Sequence, residues 1–325
     1  MTLSTTRLLA SSVVGLALVL AGCGDDEGAA DTDGRDRPTV VVTTNILGDV
    51  VENLVGDAID VVTIMPIGSD PHDFQASAQQ VAQMGGAAAL IVNGAGFEEG
   101  LLDVIESAEA DGVPVFEAMS AIEAIEHSDD AHADDEDTDD EHGHDHDGID
   151  PHFFTDPARM ARVAEGIVGF LRTTIEGIDA TTLNADAAAY IAELEALDDE
   201  VETLLAQISA ERRVMVTNHE VFGYFAERYG FVIVGAVVPS GSTIDGTSAR
   251  DLAELAEVIE QEGVTAIFAD TSSSDELART LAAEVGDVDV IALYSESLGA
   301  DGSDGANYVA MVRSNAQRIA DALTR

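Results

Sequence analysis

Eight short runs of β-branched and aliphatic residues, separated by stretches of helical length, constrain this chain more than any other feature. Thr39–Thr43, Val61–Met65, Ala89–Asn93 and Val113–Phe116 form one group; Val214–Thr217, Val232–Val234, Ala266–Ala269 and Val288–Leu293 form a second. Apolar runs of this length read as buried strands. Segments with helical spacing lie between them, among them Gln79–Gly85, Leu101–Ala110, Ser248–Glu262 and Asp275–Val285. Strands that alternate with helices pair in parallel through right-handed crossovers. Each group therefore predicts a small parallel-sheet α/β lobe, residues 39–182 and 210–325.

Between the two groups, residues 183–209 contain no Gly and no Pro, and Tyr190, Leu194, Leu197, Val201, Leu204 and Ile208 recur at spacings of four and three. This pattern predicts one amphipathic helix roughly 39 Å long. It suits a rigid connection between lobes that restrains clamshell closure; a surface helix of one lobe is the plainer alternative.

The N-terminus has a different character. One positive charge, Arg7, precedes an uncharged, mostly apolar run from Leu8 to Leu20. The run falls short of the about 20 residues a spanning helix needs and has the length of a secretory core region. It ends in Leu20-Ala21-Gly22-Cys23, which resembles a bacterial lipobox. Residues 1–22 are then expected as a signal peptide, with Cys23 lipidated; an ordinary signal peptide with a chance cysteine is the alternative. Cys23 is the single cysteine in the chain, so no internal disulfide forms. Residues 23–38, rich in Asp and Gly without apolar period, read as an acidic flexible tether.

Composition matters at one further point. The formal net charge is −49 and lysine is absent, which excludes the basic footprint of a nucleic-acid-binding protein. Much of that acidity is a solvating surface. Residues 127–147 concentrate it: five His and eleven Asp or Glu in an insertion with almost no apolar content. It is expected as a disordered surface loop, either merely solvated or a weak collector of metal ions.

Outside that insertion three histidines remain, His72, His152 and His219. His72 follows the strand ending at Met65, and His219 comes two residues after the strand ending at Thr217. Ligands of open α/β sheets bind beyond the carboxyl ends of strands. His152 stands where the insertion re-enters the fold. Taken singly, each histidine is as well read as a structural residue, and their separations match no local zinc-finger pattern.

In order along the chain stand Asp70-Pro71-His72-Asp73-Phe74, Asn93-Gly94-Ala95-Gly96-Phe97-Glu98, Asp150-Pro151-His152, Asn218-His219-Glu220-Val221-Phe222-Gly223-Tyr224-Phe225, Leu293-Tyr294-Ser295-Glu296-Ser297-Leu298-Gly299 and Tyr308-Val309-Ala310-Met311-Val312-Arg313-Ser314-Asn315. In this succession the chain resembles the metal-binding receptors of zinc and manganese ABC importers, from about Thr39 to the C-terminus. The resemblance implies two α/β lobes joined by one long helix, with a metal site in the interlobe cleft. It carries three ligand histidines onto His72, His152 and His219. The fourth ligand, usually Asp in that family, falls on Glu296, one methylene longer. Asp270 is an acidic neighbour of lower rank. Phe153 and Phe154 stand where the family often has Trp.

Three neutral imidazoles and a carboxylate make a tetrahedral set suited to Zn(II), while Mn(II) prefers more oxygen. Zinc is therefore favoured, with affinity falling as pH drops through about 6.5. The resemblance further implies a monomeric receptor without turnover, held extracytoplasmically at the cell membrane by its lipid, that delivers its ion to an ABC permease and its ATPase. The alternatives are a manganese receptor of the same family or, at lower rank, a zinc hydrolase. His219-Glu220 begins an H-E-x-x-H motif, but its second histidine would stand at Gly223, and four protein ligands leave no coordination position for water. An adhesive role, a label given to some relatives, has no recognisable surface here. The glycine-rich stretches lack a complete phosphate-binding fingerprint.

Overall fold

A computed structural model describes residues 37–126 and 148–325. Cys23, the signal segment, most of the tether and the 127–147 insertion lie outside the described residues. Strands β1 (Thr39–Val42), β2 (Asp60–Thr63), β3 (Ala89–Val92) and β4 (Val115–Glu117) form one parallel sheet in the order β2-β1-β3-β4. Strands β5 (Val214–Thr217), β6 (Val232–Ala236), β7 (Ala266–Asp270) and β8 (Asp289–Leu293) form a second in the corresponding order β6-β5-β7-β8. The expected pair of parallel-sheet lobes is thus what the chain adopts. β2 ends earlier than its apolar run, although Ile64 and Met65 still donate backbone bonds to Val42 and Thr43.

The helices are α1 (Asn45–Val55), α2 (Ala78–Gly85), α3 (Leu102–Ala110), α4 (Pro157–Thr174), α5 (Ala180–Leu205), α6 (Gly223–Tyr229), α7 (Ala249–Glu262), α8 (Glu276–Val285) and α9 (Tyr308–Leu323). Their starts follow local chemistry. Thr44 caps α1 by accepting from Leu47 N, and Ser77 and Ser248 form reciprocal capping boxes with Gln80 and Asp251. Each satisfies N–H groups that a helix start otherwise leaves unbonded. α7 ends at Gly263 in the left-handed conformation, which glycine adopts without a Cβ penalty.

The long helix α5 starts three residues before the expected 183 and stops four before 209. Asp179 sets the start by accepting from Thr181 N. At the stop the Arg213 guanidinium folds back and donates to the carbonyls of Leu205, Ile208 and Tyr229. Leu183, Ala187, Tyr190, Leu194, Leu197, Val201 and Leu205 line its buried face, each large aliphatic among them contributing about 1.5–3 kcal/mol. That face packs on α1, α4 and α9, so α5 joins the lobes inside one continuous core that includes Val40, Ile46, Met160, Met215 and Tyr308. Separate cores cover the outer sheet faces under α2 and α3 and under α7 and α8. Among the described residues no helix is long and apolar enough to cross a membrane.

Candidate metal centre

The carboxyl ends of both sheets face one seam between the lobes, and four side chains converge there. His72 stands on the loop after β2, His152 at the re-entry after β4, His219 just past β5 and Glu296 just past β8. One ligating atom from each lies within 4.8 Å of the others, and all four residues are buried. The structure thus brings together the four residues singled out from the sequence, two from each lobe.

The two Asp-Pro-His motifs place their histidines by one local device. Asp70 Oδ1 accepts from His72 N, and Asp150 Oδ1 accepts from His152 N, each at 2.9 Å. An aspartate that bonds the backbone two residues on makes an Asx turn, and the intervening proline fixes φ. The motifs then diverge. Asp150 Oδ1 also lies 2.7 Å from His152 Nδ1, whereas Asp70 Oδ2 accepts from Thr243 Oγ1 of the other lobe at 2.6 Å. His72 Nδ1 finds Glu99 Oε1 instead, at 3.0 Å. With an acceptor behind Nδ1, each ring presents Nε2 forward as the lone-pair donor. His219 Nδ1 has no hydrogen-bond partner among the described residues, and its position rests on backbone: Thr217 Oγ1 donates to His219 O at 2.7 Å.

Glu296 Oε1 is the focus of the site, 2.8 Å from His72 Nε2, 3.0 Å from His219 Nε2 and 3.4 Å from His152 Nε2. A tetrahedral zinc with bonds of about 2.0–2.1 Å holds its ligand atoms about 3.3 Å apart, and Glu296 Oε1 already stands near that spacing from all three imidazoles. Among the described residues Glu296 Oε2 is buried without a hydrogen-bond partner, a costly condition for a carboxylate unless a cation answers it. The donor set and this unanswered oxygen fit a divalent ion. The longer Glu side chain, in place of the family's Asp, reaches all three imidazoles.

Burial and charge set the protonation here. Burial raises the Glu296 pKa, but the His219 charge and hydrogen bonds to His152, His219 and His72 outweigh it, holding Glu296 well below the usual carboxylate range. Burial pulls His72 down, yet its bonds to Glu296 and Glu99 prevail and lift it to about 10. With a carboxylate on either side, His72 favours its protonated form in the metal-free site, so proton competition with a metal extends above the ordinary imidazole range. Asp270, the acid of lower rank, lies outside the four-residue group. Burial and the Glu296 charge raise it to about 7, and its oxygens accept from Ser272 N and Oγ.

Phe97 packs edge-on against His72 and His152, with ring centroids at 5.2 and 5.5 Å, and Phe154 lies 5.9 Å from His152. These rings wall the site from water. Sequence reading missed the supporting carboxylates. The repeated Asp-Pro-His was a usable signal for Asp150; Glu99 has none, since it meets His72 through the fold alone. Gly223, where a protease-type histidine would stand, packs against Asp150: a Cβ there would lie 2.3 Å from Asp150 Oδ2.

A family described as zinc-uptake complex component A periplasmic matches residues 40–322. The manganese-binding lipoprotein MntA of Halalkalibacterium halodurans is 27% identical over 314 residues, covering 95% of this chain and 96% of its own. The zinc-binding protein TroA of Treponema pallidum is 28% identical over 320 residues, covering 94% and 96%. The solved TroA structure superposes with a TM-score of 0.77 over 89% of this chain and all of that one. The manganese-bound periplasmic metal-binding protein of Candidatus Liberibacter asiaticus, 20% identical, shares the fold at a TM-score of 0.75, covering 88% of this chain and 100% of its own.

Proposed function

Because this chain belongs to the zinc-uptake complex component A family, the metal-binding receptors of zinc and manganese ABC importers, we propose that it is a receptor selective for Zn(II). His72, His152, His219 and Glu296 are the ligands. The observation that carries this reading is the convergence of three Nε2 atoms on one buried carboxylate oxygen, a nitrogen-rich set that suits four-coordinate zinc. The ion is cargo: captured without turnover and handed to the permease that the family's ATPase drives. Two ligands come from each lobe, so loading also seats one lobe against the other, a difference a permease can read.

In the same reading Cys23 carries the lipid that holds a monomeric receptor at the extracytoplasmic face of the membrane. The histidine-rich insertion gathers zinc weakly near the seam. A hydrolase is disfavoured because four protein ligands close the coordination shell.

A manganese receptor is the second reading. Its support is Glu296 Oε2, which would supply a fifth donor if the carboxylate binds through both oxygens, and manganese favours oxygen and higher coordination. Because zinc outcompetes manganese at most nitrogen and oxygen sites, competition for the metal-stripped protein tests the zinc reading through its failure. The proposal expects zinc to displace manganese at equal concentration; comparable or greater manganese retention overturns it.

A further inference from the structure

Glu296 stands at the middle of a short segment that is clipped at both ends by a buried asparagine. On its N-terminal side Asn315, from α9 of the same lobe, accepts from Tyr294 N at 2.9 Å and donates to Tyr294 O at 2.6 Å. On its C-terminal side the clip comes from the opposite lobe. Asn45, the first residue of α1, accepts from Leu298 N through Oδ1 at 2.8 Å. Its Nδ2 donates to Pro66 O at 3.2 Å and to Ser297 Oγ at 3.1 Å. Ser297 Oγ in turn accepts from Gly68 N at 2.7 Å.

The orientation of this carboxamide is determined by its partners. Leu298 N can only donate and Pro66 O can only accept, so Oδ1 must face the first and Nδ2 the second. One side chain therefore ties the Glu296 segment of one lobe to the Pro66–Gly68 turn of the other, and that turn leads directly to His72. Asn45 and Ser297 are both buried, so a polar group left alone here loses its partner without gaining water.

We propose that Asn45 is a positioning residue for metal capture: through Ser297 and Leu298 it holds Glu296 at the three imidazoles only when the lobes are seated together. The fourth ligand's arrival and lobe seating are then one event. Asn315 holds the near end of the segment in either arrangement, because both partners belong to one lobe. Asn45 supplies the part that depends on the seam. This inference rests on the ligand set proposed above.

The test is a double-mutant cycle on zinc affinity in the full chain, measured by chelator competition, with Asn45→Ala, Glu296→Ala and the double variant. The thermal midpoint of each metal-free protein is recorded alongside. Loss of a residue that orients a metal ligand weakens affinity about 10–100-fold. The expected result is a loss of that size for Asn45→Ala in the native background and less than about twofold when Glu296 is already absent, since the two act as one unit.

Equal losses in both backgrounds, or wild-type affinity in Asn45→Ala, overturn the positioning role; a lowered midpoint with unchanged affinity makes Asn45 a structural residue only. Wild-type affinity in Glu296→Ala overturns the ligand assignment instead, so the two failures are distinct. Should Asn45→Ala not fold, Ser297→Ala carries the same cycle. It cuts the links to Gly68 and to Asn45 Nδ2 while keeping the Leu298 bond, with an expected loss of about tenfold.

Discussion

Replacing Gly223 by alanine tests how the second histidine is held. The added Cβ would lie 2.3 Å from Asp150 Oδ2 and 3.2 Å from Ile125 Cδ1. An ordinary carbon–oxygen contact needs about 3.4 Å, so the carboxylate must retreat by about 1 Å. It has little freedom to do so, because Asp150 Oδ1 bonds both His152 N and His152 Nδ1, and Asp150 O accepts from Tyr224 OH at 2.7 Å. A retreat of that size lengthens the 2.7 Å bond to His152 Nδ1 by up to about 1 Å, which takes it out of hydrogen-bond reach.

His152 then loses the acceptor that fixes its tautomer, and zinc affinity should fall about 10–100-fold, or about 1.4–2.7 kcal/mol. Overpacking should also lower stability by about 1–3 kcal/mol. Chelator competition and thermal denaturation of the metal-free variant read the two effects separately. A folded Gly223→Ala protein that binds zinc as the native chain does would refute this reasoning, because Asp150 would then have no part in orienting the ligand.

Two further outcomes follow from charge placement. His72, raised to about 10 between Glu99 and Glu296, binds metal only after losing its proton. Zinc binding near pH 7.5 should therefore release about one proton from this site, and the apparent dissociation constant should fall about tenfold per pH unit across neutrality. Calorimetry in buffers of different ionisation enthalpy measures this, and buffer-independent heats would exclude it. The same shift works in the opposite sense on the metal-free fold. Its stabilising share is fully present below the unfolded value near 6.5 and is lost as pH rises through about 10. Away from the site, Asp198 of α5 accepts from Arg228 Nε at 3.0 Å and Tyr229 OH at 2.9 Å, and also pairs with Arg228 Nη2. Asp198→Ala leaves these donors poorly answered and, with Arg228 about one-third exposed, should cost about 2–4 kcal/mol in denaturant unfolding, with zinc affinity unchanged; a cost below about 0.5 kcal/mol would remove this pair from the account of α5 docking.

What could be read from the residues alone follows the range of the interactions. Strand runs such as Ala89–Val92 and the apolar stripe of α5 are local patterns, and they appear in the fold nearly where they stand in the chain. The end of α5 was not legible, because no glycine or proline marks the place, and Arg213 meets it only by folding back on the helix. The short helix α6 carries too few turns for a clear period. It is held by buried Tyr224, Phe225 and Tyr229.

The candidate site divides in the same way. His72, His152, His219 and Glu296 stood in motifs, and the corresponding sheet orders bring the four together at one seam. Of their supports, Asp150 stood in the Asp-Pro-His motif, but Glu99 and Asn45 stood in none. Glu99 meets His72 across 27 positions and Asn45 meets Ser297 across 252, contacts that exist only once β1, β2, β3 and β8 are in place. The raised His72 pKa was not legible for the same reason, since an imidazole between two carboxylates departs from its ordinary value.

The central claim is that one ion is held by three imidazole nitrogens and one carboxylate oxygen at the seam between the lobes. X-ray absorption at the zinc edge of the loaded protein tests it most directly. The account predicts a four-coordinate shell with three nitrogens and one oxygen at about 2.0–2.2 Å and outer-shell scattering from three imidazole rings. A six-coordinate oxygen-rich shell, or a native spectrum that Glu296→Ala leaves unaltered, would contradict it.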